Sequence, residues 1–582
     1  MILQVLARYY QRISLEADSG MAPEGFETKG IPFVIVLDRK GTFGGIEDTR
    51  VVEGKKKVAR TFIVPKAAKR SSGIEANLLW DNPAYAFGRP KPDPTKDPKK
   101  LRERAKEQHE SFISRIKKTF LDSAEDKGVA AVIRFLDGGD FSKVFAHPLW
   151  KEIEESGVNV TFKLHGDTEL ICQRDAVRTS IASGDARGEV GALQQCLVTG
   201  ALDSPARLHA AIKGVWGAQT SGANIVSFNL RAFSSFGKEQ GHNAPVGEKA
   251  EHAYTTALNR LLARDSRQRM QVGDASVVFW AEKSHPLESW FSDFFGEAPK
   301  GGSPQDTEAV RALYRAPETG APPLENDYTK FYVLGLSPNA SRLSVRFWYD
   351  GTVAGVVKNI KQHFNDCDVV HREHEPEHLS LFRLLVSTAL ESKSDNIMPN
   401  LSGNLMNSIL AGTPYPATLL SAAVRRIRAE REITYPRVSL IKACLVRDAR
   451  YYKRNRKEIG MALDLANTNI GYRLGRLFSV LEKIQEEASP GINATIRDRF
   501  FGAASSSPVT AFPHLMKLKN YHLAKLENRG RAVNLERLVS EIVDGIVDFP
   551  PHLSLQDQGR FSVGYYHQRQ ALFTKKTIAK EE

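Results

Sequence analysis

"KFYVLGLSPNASRLSVRFWYDG", residues 330–351, is the stretch on which the fold turns. Two runs of aromatic and β-branched residues flank "SPNAS", whose Pro, Asn and Ser suit a turn, so the stretch predicts a β-hairpin. Upstream of it, extended runs recur: "FVIVLD" (33–38), "RTFIVP" (60–65), "VNVTFKL" (158–164), "NIVSFN" (224–229) and "SVVFWAE" (276–282). Each predicts a strand, the second stopped by Pro65. Helical segments intervene irregularly. "MILQVLARYYQRI" (1–13) carries Ile2, Val5, Leu6, Tyr9 and Ile13 at helical spacing, and a charged helix over 101–121 follows the connector "RPKPDPTKDPKK" (89–100).

Downstream of about residue 370 the extended runs cease. "LSLFRLLVSTAL" (379–390), "PATLLSAAVRRIRAEREI" (416–433), "PRVSLIKACLVRDARYYKRNRK" (436–457) and "IGYRLGRLFSVLEKIQEEA" (470–488) all have helical periodicity. Prolines 376, 414, 416, 436, 490 and 513 punctuate them where helices start and stop. The expected fold is an α+β amino-terminal domain (1–370) followed by an all-α helical bundle (371–582).

With 582 residues the chain is too long for one ordinary core. Its 41% hydrophobic and 26% charged residues are those of a folded globular protein, and no run of about 18 apolar residues predicts a membrane span. The amino-terminal helix interleaves arginines with acids and is not followed by a small-residue cleavage site, so it is read as core-facing rather than as a signal peptide. Cys172, Cys196, Cys367 and Cys444 form no C-x-x-C pair, which argues against a zinc ribbon or a disulfide framework and for a reducing, cytoplasmic setting.

The sharpest catalytic pattern is "HEPEH", residues 374–378, a literal H-E-x-x-H. Zinc chemistry there needs His374 and His378 on one uninterrupted helical face. Pro376 lies between them and disfavours helical geometry at Glu375, so the stretch is read as a charged loop before a helix, with a zinc metalloenzyme as the remote rival. The sequence has no phosphate-cradling G-x-x-x-x-G-K-[ST], no G-x-S-x-G elbow and no Asp-x-Asp cluster. A binding protein without catalytic residues or cofactor is expected.

The formal net charge of +13 favours a polyanionic partner. Two features sharpen this. The basic stretch 425–457 contains Arg425 and Arg426, then Arg447, Arg450 and Arg454 at i, i+3 and i+7, a stripe suited to tracking phosphates. The second is "GVWGAQTSGANIVSFN" (214–229), continuing into "LRAFSSFGKEQGHNAPVG". Its glycines allow close backbone approach, and Gln219, Asn224, Gln240 and Asn243 carry amides that both donate and accept, as base edges require. Lys213 and Lys238 are the possible phosphate anchors, and Ser221 joins the candidate readers. A structural surface loop is the plain alternative.

"MILQVLARYYQRI", "SSGIEANLLWDNPAYAFG" (71–88) and "GAQTSGANIVSFNLRAFSSFGKEQGHNAPVGEKAEHAYTTALNRLL" (217–262) together resemble the large subunit of the type I-C CRISPR surveillance complex, Cascade. The resemblance runs the length of the chain, and "HEPEH" is outside its pattern. It implies a non-catalytic subunit of a crRNA-guided complex that recognises a protospacer-adjacent motif (PAM) on double-stranded DNA. The subunit would promote R-loop formation, steady the displaced single strand and dock the Cas helicase–nuclease, beside backbone and crRNA-end-binding subunits. On it, Lys213, Gln219, Ser221, Asn224, Lys238, Gln240 and Asn243 become PAM-reading candidates, with Asn77 and Asn82 from the first motif. Trp80 and Tyr85 are expected in the core. It also implies a small subunit made from an internal start, for which Met461 is best placed, giving residues 461–582 alone. The competing reading is a stand-alone single-stranded nucleic-acid-binding protein, with steep salt dependence and no motif preference.

Overall fold

The computed structural model describes residues 1–16, 19–54, 56–68, 70, 73–120, 126–183, 193–295, 327–398, 400–453 and 459–573. The chain packs as two units: residues Met1–Ala211 with Val226–Arg260, and Ile212–Ile225 with Leu261–Glu582.

In the first unit the strands are β1 (Phe26–Gly30), β2 (Phe33–Leu37), β3 (Phe43–Asp48), β4 (Val51–Glu53), β5 (Lys56–Val58), β6 (Thr61–Pro65), β7 (Trp80–Asp81), β8 (Val160–Leu164), β9 (Gln194–Gln195) and β10 (Leu202–Asp203). The central sheet has the order β3-β2-β8-β7, with β2 and β8 parallel and the other pairs antiparallel. All five residues of β2 are buried, as its unbroken apolar sequence requires of a strand covered on both faces. Helices Pro98–Thr119 and Lys127–Gly138 supply Phe112, Ile116, Val132 and Phe135 to the same core. Asp126 starts the second of these by accepting from the amides of Gly128 and Val129, both at 2.9 Å.

In the second unit β11 (Arg269–Val272), β12 (Ala275–Ala281), β13 (Lys330–Asn339) and β14 (Arg342–Thr352) form an antiparallel meander in that order. The 330–351 hairpin is present as β13 and β14, and β14 runs directly into helix Val353–Cys367. From there the described elements are helical: Leu401–Ala411, Ala417–Glu430, Tyr435–Tyr451, Ile470–Ala488, Ile496–Ser506, Pro508–Lys525, Arg529–Val543 and Leu555–Phe573 are the longer ones. The fold is thus a strand-rich amino-terminal part followed by a predominantly helical carboxyl part. The switch near residue 370 falls inside one packed unit, because Phe279, Phe331 and Phe347 of the meander share a continuous core with Val357, Leu405 and Ile441 of the helices.

Helices Ile470–Ala488 and Leu555–Phe573 cross very closely. A Cβ on Gly475 would stand 2.0 Å from the Phe561 carbonyl oxygen, and one on Gly564 2.1 Å from that of Tyr472. Only glycine permits that approach.

Candidate nucleic-acid interface

In the second unit, residues 212–225 form a loop closed at its neck. Ile212 and Ala223 exchange both backbone hydrogen bonds, at 2.8 and 2.9 Å. Val215 is buried, and the Trp216 amide donates to Ser276 Oγ at 2.9 Å, which pins one arm of the loop to β12. At the far end the Gly222 amide donates to the Gln219 carbonyl at 2.9 Å, and Gly217 and Gly222 have positive φ. Gln219, Thr220 and Ser221 therefore sit on a tight exposed turn, with Lys213 exposed at the neck.

Asn224 differs from its neighbours. Its amide donates to the Ser341 carbonyl at 3.2 Å and its carbonyl accepts from the Leu343 amide at 2.9 Å, so its backbone joins the β13–β14 turn. The strand expected over 224–229 is absent: Asn224 makes a single bridge to Arg342, and after Ile225 the chain passes into the other unit, which leaves no continuous partner strand.

The continuation, 226–260, belongs to the first unit. Ser235 and Lys238 pair across a two-residue turn, with the Lys238 amide donating to the Ser235 carbonyl at 2.9 Å. Asn243 holds this hairpin. Its Oδ1 accepts from the Ser235 amide at 3.1 Å, and its Nδ2 donates to the carbonyls of Lys238 (3.2 Å) and Gln240 (3.0 Å). Gln240 Oε1 accepts from Arg207 at 3.0 Å. Asn243 is a strut rather than a base reader, because its amide is spent on the loop, whereas Gln240 commits only its Oε1, to Arg207. Lys238 remains exposed.

The 71–88 motif is likewise architectural. Asn77 is buried, and its Oδ1 accepts from the Ala68 amide at 2.9 Å. Asn82 caps helix Pro83–Phe87, accepting from the Ala84 amide at 3.0 Å. Both surround Asp81, fully buried, which accepts from the backbone amides of Asn77 and Asn82 and pairs with Arg70. Burial raises the Asp81 pKa despite these partners. Trp80 and Tyr85 are in the core as expected. Asn77 is withdrawn as a DNA contact because it is buried, and half-buried Asn82 because its Oδ1 is committed to the helix cap.

The basic stretch is partly turned inward. Arg447 is 1% exposed, pairs with Asp366 at 3.3 Å, and donates to the carbonyls of Thr413 (2.6 Å) and Ser408 (2.9 Å). Arg450 grips the same carboxylate at 2.6 Å. Arg426 pairs with Glu430 at 3.1 Å. Burial pulls the Glu430 pKa upward, but Arg437 and Arg426 hold it below its ordinary value. Arg447 is corrected to a structural ion pair, and Arg450 and Arg426 are engaged rather than offered. Helix Tyr435–Tyr451 ends before Arg454, which lies outside the described residues. Arg425, Arg428 and Arg431 are exposed.

"HEPEH" forms turns and bends ahead of a helix that starts at Leu381. His374 and His378 share no helical face, and the His378 ring lies 5.0 Å from Phe364.

The sequence model described as CRISPR-associated protein (Cas_Csd1) matches residues 6–573, nearly the whole chain. The chain belongs to that CRISPR-associated family. No curated protein matches it. Among the described residues no helix is long and apolar enough to cross a membrane.

Within this CRISPR-associated chain the sequence reading passed over two features. Helix Pro508–Lys525 contains no acidic residue, and His514, Lys517, Tyr521 and Lys525 are exposed along one face. Lys525 Nζ stands 4.4 Å from the centre of the Tyr521 ring, and Lys517 forms no ion pair among the described residues. The signal was present as an acid-free run, hidden behind the denser arginines upstream. The second feature is an aromatic cluster formed by residues beyond 461, within the larger core: Phe478, Phe501, Phe561 and Tyr565 pack on one another, and Glu482 accepts from Thr495 and Tyr565. Met461 itself is exposed, in a loop before that cluster.

Proposed function

We propose that this chain is the large, non-catalytic subunit of a type I-C crRNA-guided Cascade complex in the prokaryotic cytoplasm. It recognises the PAM on duplex DNA, promotes R-loop formation, steadies the displaced strand and helps recruit the Cas helicase–nuclease. The observation that carries this reading is the family match across residues 6–573. Two features support it. The exposed turn Gln219–Thr220–Ser221, with Lys213 at its neck, is small enough to approach base edges beside a phosphate anchor. The acid-free face of Lys517, Tyr521 and Lys525 interleaves cations with an aromatic ring, the chemistry of a single-strand track. Residues 461–582, which contain the Phe478–Phe501–Phe561–Tyr565 cluster, are also made alone as a small subunit.

Permanganate footprinting of a matched protospacer tests the function. Complex containing the chain opens the duplex; complex assembled without it does not. Equal opening by both contradicts the proposal. For the internal product, Met461→Leu abolishes the shorter band of a carboxyl-tagged chain, and its persistence refutes that start.

A further inference from the structure

Phe236 is 98% exposed at the tip of the 235–238 hairpin. Its φ is +51° and that of Gly237 is +69°, the two positive values of a type I′ turn. A bulky residue rarely adopts this conformation, and Asn would suit it better. The turn is nevertheless held firmly, because the single amide of Asn243 clamps Ser235, Lys238 and Gln240 together. The amides that the sequence offers as readers thus build a stalk, and what the stalk presents is an aromatic ring.

We infer that Phe236 inserts between neighbouring base pairs of duplex DNA. This rests on the nucleic-acid reading above and gives it a contact residue. The setting of the ring selects the partner. Ser234, Ser235, Gly237 and Lys238 around it are exposed, small or cationic, and Glu239 is the only acid in 226–243. A stable protein interface buries about 800 Å² on each side around a centre of clustered apolar and aromatic side chains. A ring flanked by hydroxyls and an ammonium fits a base step, with the π-face stacking and Lys238 meeting the phosphate. Insertion unstacks one step and kinks the duplex, so it favours opening at that position.

The test uses the assembled complex with its crRNA and matched duplexes carrying 2-aminopurine at successive positions next to the protospacer. The wild type brightens one position, reporting the unstacked base. Phe236→Asn creates Asn-Gly, the favoured type I′ pair, so the hairpin is kept while the ring is lost. This variant assembles normally, loses the brightening, and opens the duplex roughly tenfold more slowly. Phe236→Trp restores both. Unchanged brightening and opening in Phe236→Asn overturn the inference while leaving the function standing. Loss of a subunit on purification of that variant also overturns it, since the ring is then a protein contact. A wild-type complex that binds no matched duplex overturns the function and the inference together.

Discussion

Residues 425–450 and residues 212–243 stand out in the sequence for opposite reasons, one for charge density and one for near-neutral amides. The structure treats them oppositely as well. In the first, four of the arginines are tied to carboxylates, Arg447 and Arg450 to Asp366 and Arg426 and Arg437 to Glu430, while Arg425, Arg428 and Arg431 stay exposed. In the second, Gln219, Ser221 and Phe236 are exposed on turns held by backbone and Asn243 bonds. Charge density counts charges. It does not say which of them have partners far along the chain.

The contrast is broken most directly at Arg447. Arg447→Met strips a buried carboxylate of one partner and frees two carbonyls, costing about 3–5 kcal/mol in urea unfolding followed by helical circular dichroism. Arg450→Met, at the exposed end of the same pair, costs about 1 kcal/mol. Equal losses would mean the two arginines are interchangeable surface charges.

Acid sharpens the same comparison. Burial lowers the pKa of His363 to about 3 and of His567 to about 4 from an ordinary 6.5. Both are neutral in the fold, whereas the unfolded chain takes up protons near pH 6.5. Stability of the second unit therefore falls as pH drops from about 6.5 towards 4, and is level above that window. His567→Gln flattens the fall between those values. A slope unchanged by the substitution would contradict the buried neutral imidazole.

A milder effect is expected on the acid-free helix. Lys517→Gln with Lys525→Gln lowers the slope of log affinity against log salt for single-stranded DNA by about 1–2, with no loss of stability. The matching Arg447 and Arg450 changes act through folding instead. Smallest of all, Asn243→Ala loosens the 235–238 hairpin by about 1 kcal/mol, read as faster amide exchange at Lys238 while the sheet cores are unmoved.

Much of the fold is legible in the sequence, because β-branched and aromatic runs such as 276–282 and the 330–351 hairpin carry their own pattern, and the helices beyond 370 are strongly periodic. The packing units are less so. They are set by contacts between segments distant in sequence, so 212–225 and 226–260 part company inside one continuous motif. At the candidate site, residue chemistry identified the polar loop but not the direction of each amide. Asn77, Asn82 and Asn243 have the same amide as Gln219, and only burial and tertiary hydrogen bonds separate these struts from the exposed Gln219. Phe236 was invisible as a candidate because a single Phe among serines reads as core until its exposure is known.

The central claim is that the Gln219–Ser221 turn reads the bases flanking the target. It is tested by binding the assembled complex to matched duplexes with randomised flanks, comparing wild type with Gln219→Ala, Ser221→Ala at fixed salt. The account predicts that flank preference falls roughly tenfold while affinity for duplex lacking the target is unchanged. Preference retained in full would place the reading elsewhere and contradict it.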